Sequence, residues 1–118
     1  MKIFHKDLVK RWNKFSILEQ MANIGAEVGR AINWKKKYRA EMSKNAFYRA
    51  LELIDFTVDD PKNKNSLKEI LRVREMLVDY FFGDNIYHST DNQWEKYFYY
   101  FNLIARNNSN EPFLTSNV

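Results

Sequence analysis

Apolar residues return every three or four positions along most of this chain, and the stretches that keep the rhythm open on helix-capping signals. Ser16-Ile17-Leu18-Glu19 has the form of a capping box, in which the serine oxygen accepts from a first-turn amide and the glutamate reaches back to the cap. A long helix is predicted from there to about Lys36. Ile17, Met21, Ile24, Val28 and Ile32 share one side of it, and Gly25 and Gly29 leave room for a close neighbour. Ahead of it, Leu8, Val9, Trp12 and Phe15 predict a short lead-in helix that docks its rings on the main body. A second long helix is read from about Ser43 to Thr57, with Phe47, Ala50, Leu51, Ile54 and Val58 in register.

The rhythm then breaks. Asp59-Asp60-Pro61-Lys62-Asn63-Lys64-Asn65 reads as a loop, because proline cannot continue a helix and Asn and Asp favour turns. Ser66-Leu67-Lys68-Glu69 repeats the capping-box pattern and opens a third helix, with Ile70, Val73, Leu77 and one of Tyr80 or Phe81 inward. Gly83 is expected to end that helix in the left-handed conformation. Thr90-Asp91-Asn92-Gln93 forms a third box, opening a helix through about Ala105 with Trp94, Tyr97 or Phe98, Phe101 and Ile104 inward. Helices with short connections, and no strand-like alternation, predict an all-α fold: an antiparallel up-down four-helix bundle with a short N-terminal lead-in helix. Residues 1–106 are read as one domain and 107–118 as a polar, flexible tail.

The last helix carries more rings than one core-facing stripe needs. Ten of the nineteen aromatic residues lie between Tyr80 and Phe101, and successive positions such as Tyr97, Phe98, Tyr99 and Tyr100 point in four directions at about 100° per residue. Phe82, Tyr99 and Tyr100 fall off the assigned core stripe. Rings with a polar tip suit a protein interface, so a homodimer or another protein partner is expected there.

Composition narrows the setting. At 118 residues the chain is one domain by size, and no stretch approaches the roughly 20 apolar residues a membrane crossing needs, so no membrane partner is expected. Zero cysteines exclude disulfides and thiolate metal sites, and the start Met1-Lys2-Ile3-Phe4-His5 lacks the apolar region of a secretory signal; a cytoplasmic setting is expected. The net charge of +4 permits contact with phosphates without requiring it.

Chemistry is sparse. Carboxylate-bridged metal bundles need Glu-x-x-His on two helices, whereas the two histidines here, His5 and His88, do not follow a glutamate at that spacing. The glycines Gly25, Gly29 and Gly83 make no phosphate loop, and neither histidine has a visible partner for a nucleophile. No catalytic residue, metal or cofactor is therefore assigned. What remains are polar stripes: Asn23, Glu27 and Arg30 on the first long helix, Glu52, Asp55 and Asp59 on the second, Arg72, Glu75 and Asp79 on the third. If the stripes meet, they form a charged cluster; otherwise they are solvated faces with pairs such as Glu27 to Arg30 and Arg72 to Glu75. A second candidate is the basic end of the first long helix, where Arg30, Lys35, Lys36, Lys37 and Arg39 interleave with Trp34 and Tyr38. Such a mixture neutralises phosphates and stacks bases, and equally it complements the negative end of the helix dipole.

The runs Gln20-Met21-Ala22-Asn23-Ile24-Gly25-Ala26-Glu27-Val28-Gly29-Arg30, Arg49-Ala50-Leu51-Glu52-Leu53-Ile54-Asp55 and Arg72-Val73-Arg74-Glu75-Met76-Leu77-Val78-Asp79-Tyr80-Phe81 resemble a group of small uncharacterised prokaryotic helical proteins, over about residues 17–106. In bundle shape the chain also resembles the HEPN superfamily, helical domains often paired with nucleotidyltransferases, some of which cleave RNA through an Arg followed four to six residues later by His. Here Arg106-Asn107-Asn108-Ser109-Asn110-Glu111 places Glu111 where that histidine falls. Without the imidazole such an RNase lacks its acid or base, so the resemblance carries over no catalytic residue. The expected function is a non-catalytic interaction module that self-associates through its aromatic last helix. The alternative is a HEPN-like, RNA-binding or nucleotidyltransferase-linked protein using the basic helix end.

Overall fold

A computed structural model describes residues 6–108, and all the regular structure among them is helical: α1 (Lys6–Trp12), α2 (Ile17–Lys36), α3 (Ala40–Asp59), a 3-10 turn (Pro61–Ser66), α4 (Leu67–Phe82) and α5 (Asp91–Asn108). Two of the three expected capping boxes form. Glu19 N donates to Ser16 Oγ at 3.1 Å while Ser16 N donates to Glu19 Oε1 at 2.9 Å. The same exchange links Gln93 N to Thr90 Oγ1 at 3.1 Å and Thr90 N to Gln93 Oε1 at 3.0 Å. At Ser66 the box is absent, because the chain enters α4 already coiled and Ser66 (φ −105, ψ 4) lacks the extended backbone a cap needs.

That coil replaces the loop expected over residues 59–65. Pro61 suits the first position of a helical turn, and Asp60 Oδ1 accepts from Lys62 N at 3.2 Å as its cap. Gly83 does end α4, but at φ −103 and not in the left-handed region. Left-handed backbone occurs instead at Asn85 (φ 55) and His88 (φ 56), in the connection to α5. Asp79 holds that connection by accepting from Ile86 N at 3.0 Å and Tyr87 N at 3.1 Å. The helices also outrun their expected ends: α3 starts at Ala40, before Ser43, and α5 continues past Ala105 to Asn108. The remainder of the expected tail, 109–118, lies outside the described residues, as does His5.

The apolar stripes meet as read. Met21, Ile24, Val28 and Ile32 of α2, Phe47, Ala50 and Ile54 of α3, and Ile70, Val73 and Leu77 of α4 are buried. Trp94 and Phe98 of α5 join the same core, with Tyr97 and Phe101 packed half-buried against it. Helix α2 lies against both α3 and α5, and α4 lies against α3. Along α2 and α3, Ser43 Oγ donates to Ala31 O at 2.8 Å, and Gln20 Nε2 donates to Asp60 Oδ2 at 2.9 Å. Along α2 and α5, Lys35 reaches Asp91 at 3.0 Å, and an added Cβ on Gly25 falls 2.6 Å from Phe98 Cβ. Between α3 and α4, Phe47 stacks on Phe81 at 4.4 Å and Arg74 Nε donates to Asp55 Oδ1 at 2.8 Å. The lead-in helix docks through Trp12, whose Nε1–H donates to Thr57 Oγ1 at 2.9 Å.

Candidate functional site

Helix α5 presents two different faces. Its inward side is set by Trp94, Phe98 and Ala105, all buried. Its outward side carries Asn92, Lys96, Tyr99, Tyr100, Leu103 and Asn107, all exposed, because those positions fall within about a third of a turn of one another. Tyr99 and Tyr100 are 58% and 59% exposed, and Leu103 lies one turn further on the same strip. Phe82, grouped with these rings in the sequence reading, sits elsewhere. It is half-exposed at the end of α4, against Phe47 at 5.1 Å and Tyr48 at 5.5 Å.

The basic end of α2 is largely occupied in holding the fold. Lys35 bonds Asp91 and also Tyr80 Oη at 2.9 Å, and Lys36 bonds Glu95 at 3.2 Å. Lys37 rests over the half-buried Trp34 at 5.4 Å, and Arg39 precedes α3 as its cap residue. Arg30 pairs with Glu27 at 3.0 Å. One aromatic residue there stands out from the surface: Tyr38, left-handed at φ 60, is 94% exposed among the described residues.

The three polar stripes do not join. Glu27 takes Arg30 and, from α3, Arg49 at 3.4 Å, while Asn23 donates to Glu19 O within its own helix at 2.8 Å. Asp55 is bound by Arg74 of α4, not by a stripe member, and among the described residues no hydrogen bond or ion pair links Glu52 or Asp59 to another stripe. The expected pair of Arg72 with Glu75 is also replaced. Glu75 Oε2 accepts from Tyr87 Oη at 2.6 Å, and Glu69 Oε2 accepts from Tyr97 Oη at 2.8 Å. The Glu75 hydrogen bond raises the Tyr87 phenol above its ordinary value; burial, and then Glu69, do the same to Tyr97, so both phenols stay protonated donors.

Sequence reasoning missed the groove these tyrosines border. Helices α4 and α5 each lean on a different neighbour, and between them a groove of about 520 Å³ is lined by Arg72, Val73, Met76, Tyr87, Trp94 and Tyr97, among others. Tyr87 reaches it from a connection with no periodicity, so its pairing with Glu75 had no signal in spacing.

Arg106, the arginine of the nearest HEPN-like sequence, is exposed in the last turn of α5, and Glu111 lies outside the described residues. Among the described residues no three His, Cys, Asp or Glu side chains are grouped to hold a metal ion, and no helix is long and apolar enough to cross a membrane. No family model matches the chain, and no curated protein or solved structure is significantly similar to it.

Proposed function

We propose that this chain is a cytoplasmic, non-catalytic interaction module whose long helices form an antiparallel up-down bundle and whose α5 pairs with a second copy of itself. The observation that carries the reading is the exposed Tyr99, Tyr100 and Leu103 strip, which no helix of the same chain covers among the described residues. A two-fold contact sets one patch against itself, so a patch of like charge repels its own copy. The strip itself is uncharged, with two exposed cations flanking it, Lys96 before Tyr99 and Arg106 after Leu103. With two α5 helices antiparallel about the middle of the strip, Lys96 of one copy falls near Arg106 of the other, so the pairing is expected to tighten as added salt screens that repulsion. The phenol tips of the tyrosines stay at the wet rim while their rings bury one another.

Three side chains on one helix make a small contact, so a dissociation constant of about micromolar order is expected. Sedimentation velocity over a range of concentrations checks it. A concentration-dependent dimer is expected, and Tyr99→Glu with Tyr100→Glu should give a monomer with an unchanged melting temperature. A strict monomer at about 100 μM, roughly a hundred times that dissociation constant, would exclude pairing through α5.

One observation favours the alternative of an RNA-contacting, HEPN-like protein. An exposed ring held in left-handed backbone, beside Lys37 and Arg39, is a stacking platform next to phosphate-neutralising charge. If it acts so, a labelled single-stranded RNA binds at low salt and loses about tenfold in affinity in Tyr38→Ala with Lys37→Gln. Binding that is absent, or unaltered by those changes, removes that reading.

A further inference from the structure

The turn from α2 into α3 closes with two hydrogen bonds, Arg39 N donating to Trp34 O at 2.9 Å and Tyr38 N to Lys35 O at 3.0 Å, and Tyr38 takes the left-handed position between them at φ 60. Glycine is the usual residue at that position, because a Cβ is disfavoured in left-handed backbone. Tyrosine there holds strain, and a ring that is 94% exposed among the described residues does not offset it by burial. Nor does its side chain make a hydrogen bond, ion pair or ring contact among them. The ring instead walls a groove of about 420 Å³. Tyr80, Phe81 and Phe82, from the last turn of α4, form the apolar side of that groove. Its charged residues are Lys35 and Lys44, and no carboxylate lines it. Lys35 is held by Asp91, whereas Lys44 is exposed and in no ion pair among the described residues.

We propose that this groove docks an acidic protein segment, with an aromatic or aliphatic side chain of the segment seated on the rings of Tyr38, Tyr80 and Phe82 and its carboxylates facing Lys44. Lys37 and Arg39, on either side of Tyr38 in the chain, extend the same sign of charge along the turn. Complementary charge selects an acidic partner and repels a basic one, while the rings supply a dry centre for its apolar anchor. A nucleic acid needs a longer run of cations to neutralise successive phosphates, and here Lys35 and Lys36 are drawn into ion pairs with Asp91 and Glu95. The rings favour a segment whose charges are interrupted by an apolar side chain. No α5 residue lines the groove, so this partner is additional to the self-pairing proposed through α5 and does not depend on it.

The test is fluorescence anisotropy of the full chain with the labelled peptide Glu-Glu-Asp-Phe-Leu-Asp-Glu-Glu, the same peptide with lysine at every acidic position, and a labelled single-stranded RNA, each at low and high salt. The acidic peptide is expected to bind with a dissociation constant of about 100 μM or tighter at low salt, to weaken as salt rises, and to leave the lysine peptide unbound. Lys44→Gln should weaken it by about threefold; the side chain is exposed and unpaired, so this variant is expected to fold as the parent does. Tyr38→Gly separates binding from folding. Relief of the left-handed strain should raise the melting temperature, while loss of the ring weakens the peptide by about tenfold. An acidic peptide that fails to bind at about 1 mM, a lysine peptide that binds as tightly, a Tyr38→Gly variant with unchanged affinity, or an RNA that binds more tightly and displaces the peptide would each overturn the assignment. A strict monomer in sedimentation would remove the α5 reading and leave this one standing.

Discussion

Replacing Gly25 with alanine is expected to destabilise the protein by about 2 kcal/mol, whereas the same replacement at Gly29, one turn along the same helix, is expected to stabilise it by roughly 0.5–1 kcal/mol. Both residues sit inside α2, where alanine is the better helix former and reduces the freedom of the unfolded chain. They differ in what faces them. A Cβ on Gly25 falls 2.6 Å from Phe98 Cβ and 2.8 Å from Phe98 Cγ and Cδ1, so α5 is packed against bare backbone there. The nearest of those atoms is fixed to the α5 backbone and cannot rotate aside, so relief requires the two helices to separate along a buried seam that includes Trp94. At Gly29 no neighbouring side chain or helix among the described residues comes within 4 Å of an added Cβ, and the methyl enters open space. Urea denaturation of the two variants checks this, and shifts of the same sign in both would show that the α2 to α5 seam is not packed as described.

The same seam explains why the basic end of α2 is poorly placed for an external ligand. Gly25 brings α5 close in the middle of α2, and Lys35 and Lys36 then fall opposite Asp91 and Glu95 in the first turns of α5. Those acids favour the positive end of α5, and the lysines favour the negative end of α2, so two helix dipoles and two ion pairs agree on one register. The pairs are partly exposed and each contributes only a few tenths to one kcal/mol. Their effect is to specify the register while drawing the charges away from solvent-borne phosphates.

Helix existence and the core faces were legible because they follow from local periodicity. Met21, Ile24, Val28 and Ile32, or Ile70, Val73 and Leu77, recur at helical steps whatever the helices pack against, and two capping boxes formed where their signatures stood. Where the reading failed, the outcome depended on a neighbour distant in sequence. Ser66 fits a capping box by pattern, yet Asn63, held by Gln20 and the Thr57 carbonyl, keeps the preceding turn coiled and removes the extended cap. Arg72 and Glu75 fit an intrahelical pair by spacing, yet Tyr87 arrives from the α4 to α5 connection and takes the carboxylate. The polar stripes followed the general rule that an amphipathic helix has a wet side, and nothing in that rule aims the wet sides at one another. The α5 outer face was legible for the opposite reason: with rings at consecutive positions, some must fall outside any single core-facing stripe.

Gln20 shows the limit of reading polarity as exposure, and its replacement by leucine is expected to cost about 3 kcal/mol despite the added apolar surface. The residue is fully buried, with its donor shared between Trp12 O and Asp60 Oδ2, both at 2.9 Å, and its acceptor taken by Asn63 Nδ2 at 2.8 Å. One amide thereby ties α1, α2 and the 3-10 turn together, and leucine removes three buried hydrogen bonds at once, one of them to the Asp60 carboxylate. Asp60 gives the junction a defined pH response. Burial alone pushes its carboxyl up, but hydrogen bonds from Lys62 and Gln20 outweigh that and hold it below the ordinary carboxylate value. Stability from Asp60 is therefore complete above the ordinary value and is lost as pH falls through the lower folded value, because the unfolded chain takes up the proton first. Gln20→Glu should reverse the trend: a second carboxylate against Asp60 raises the pKa of the pair, so this variant gains stability as pH drops from 7 towards about 5. Urea midpoints measured across that range decide the matter, since a Gln20→Glu variant that weakens in parallel with the parent on acidification would mean that residue 20 and Asp60 are not in contact.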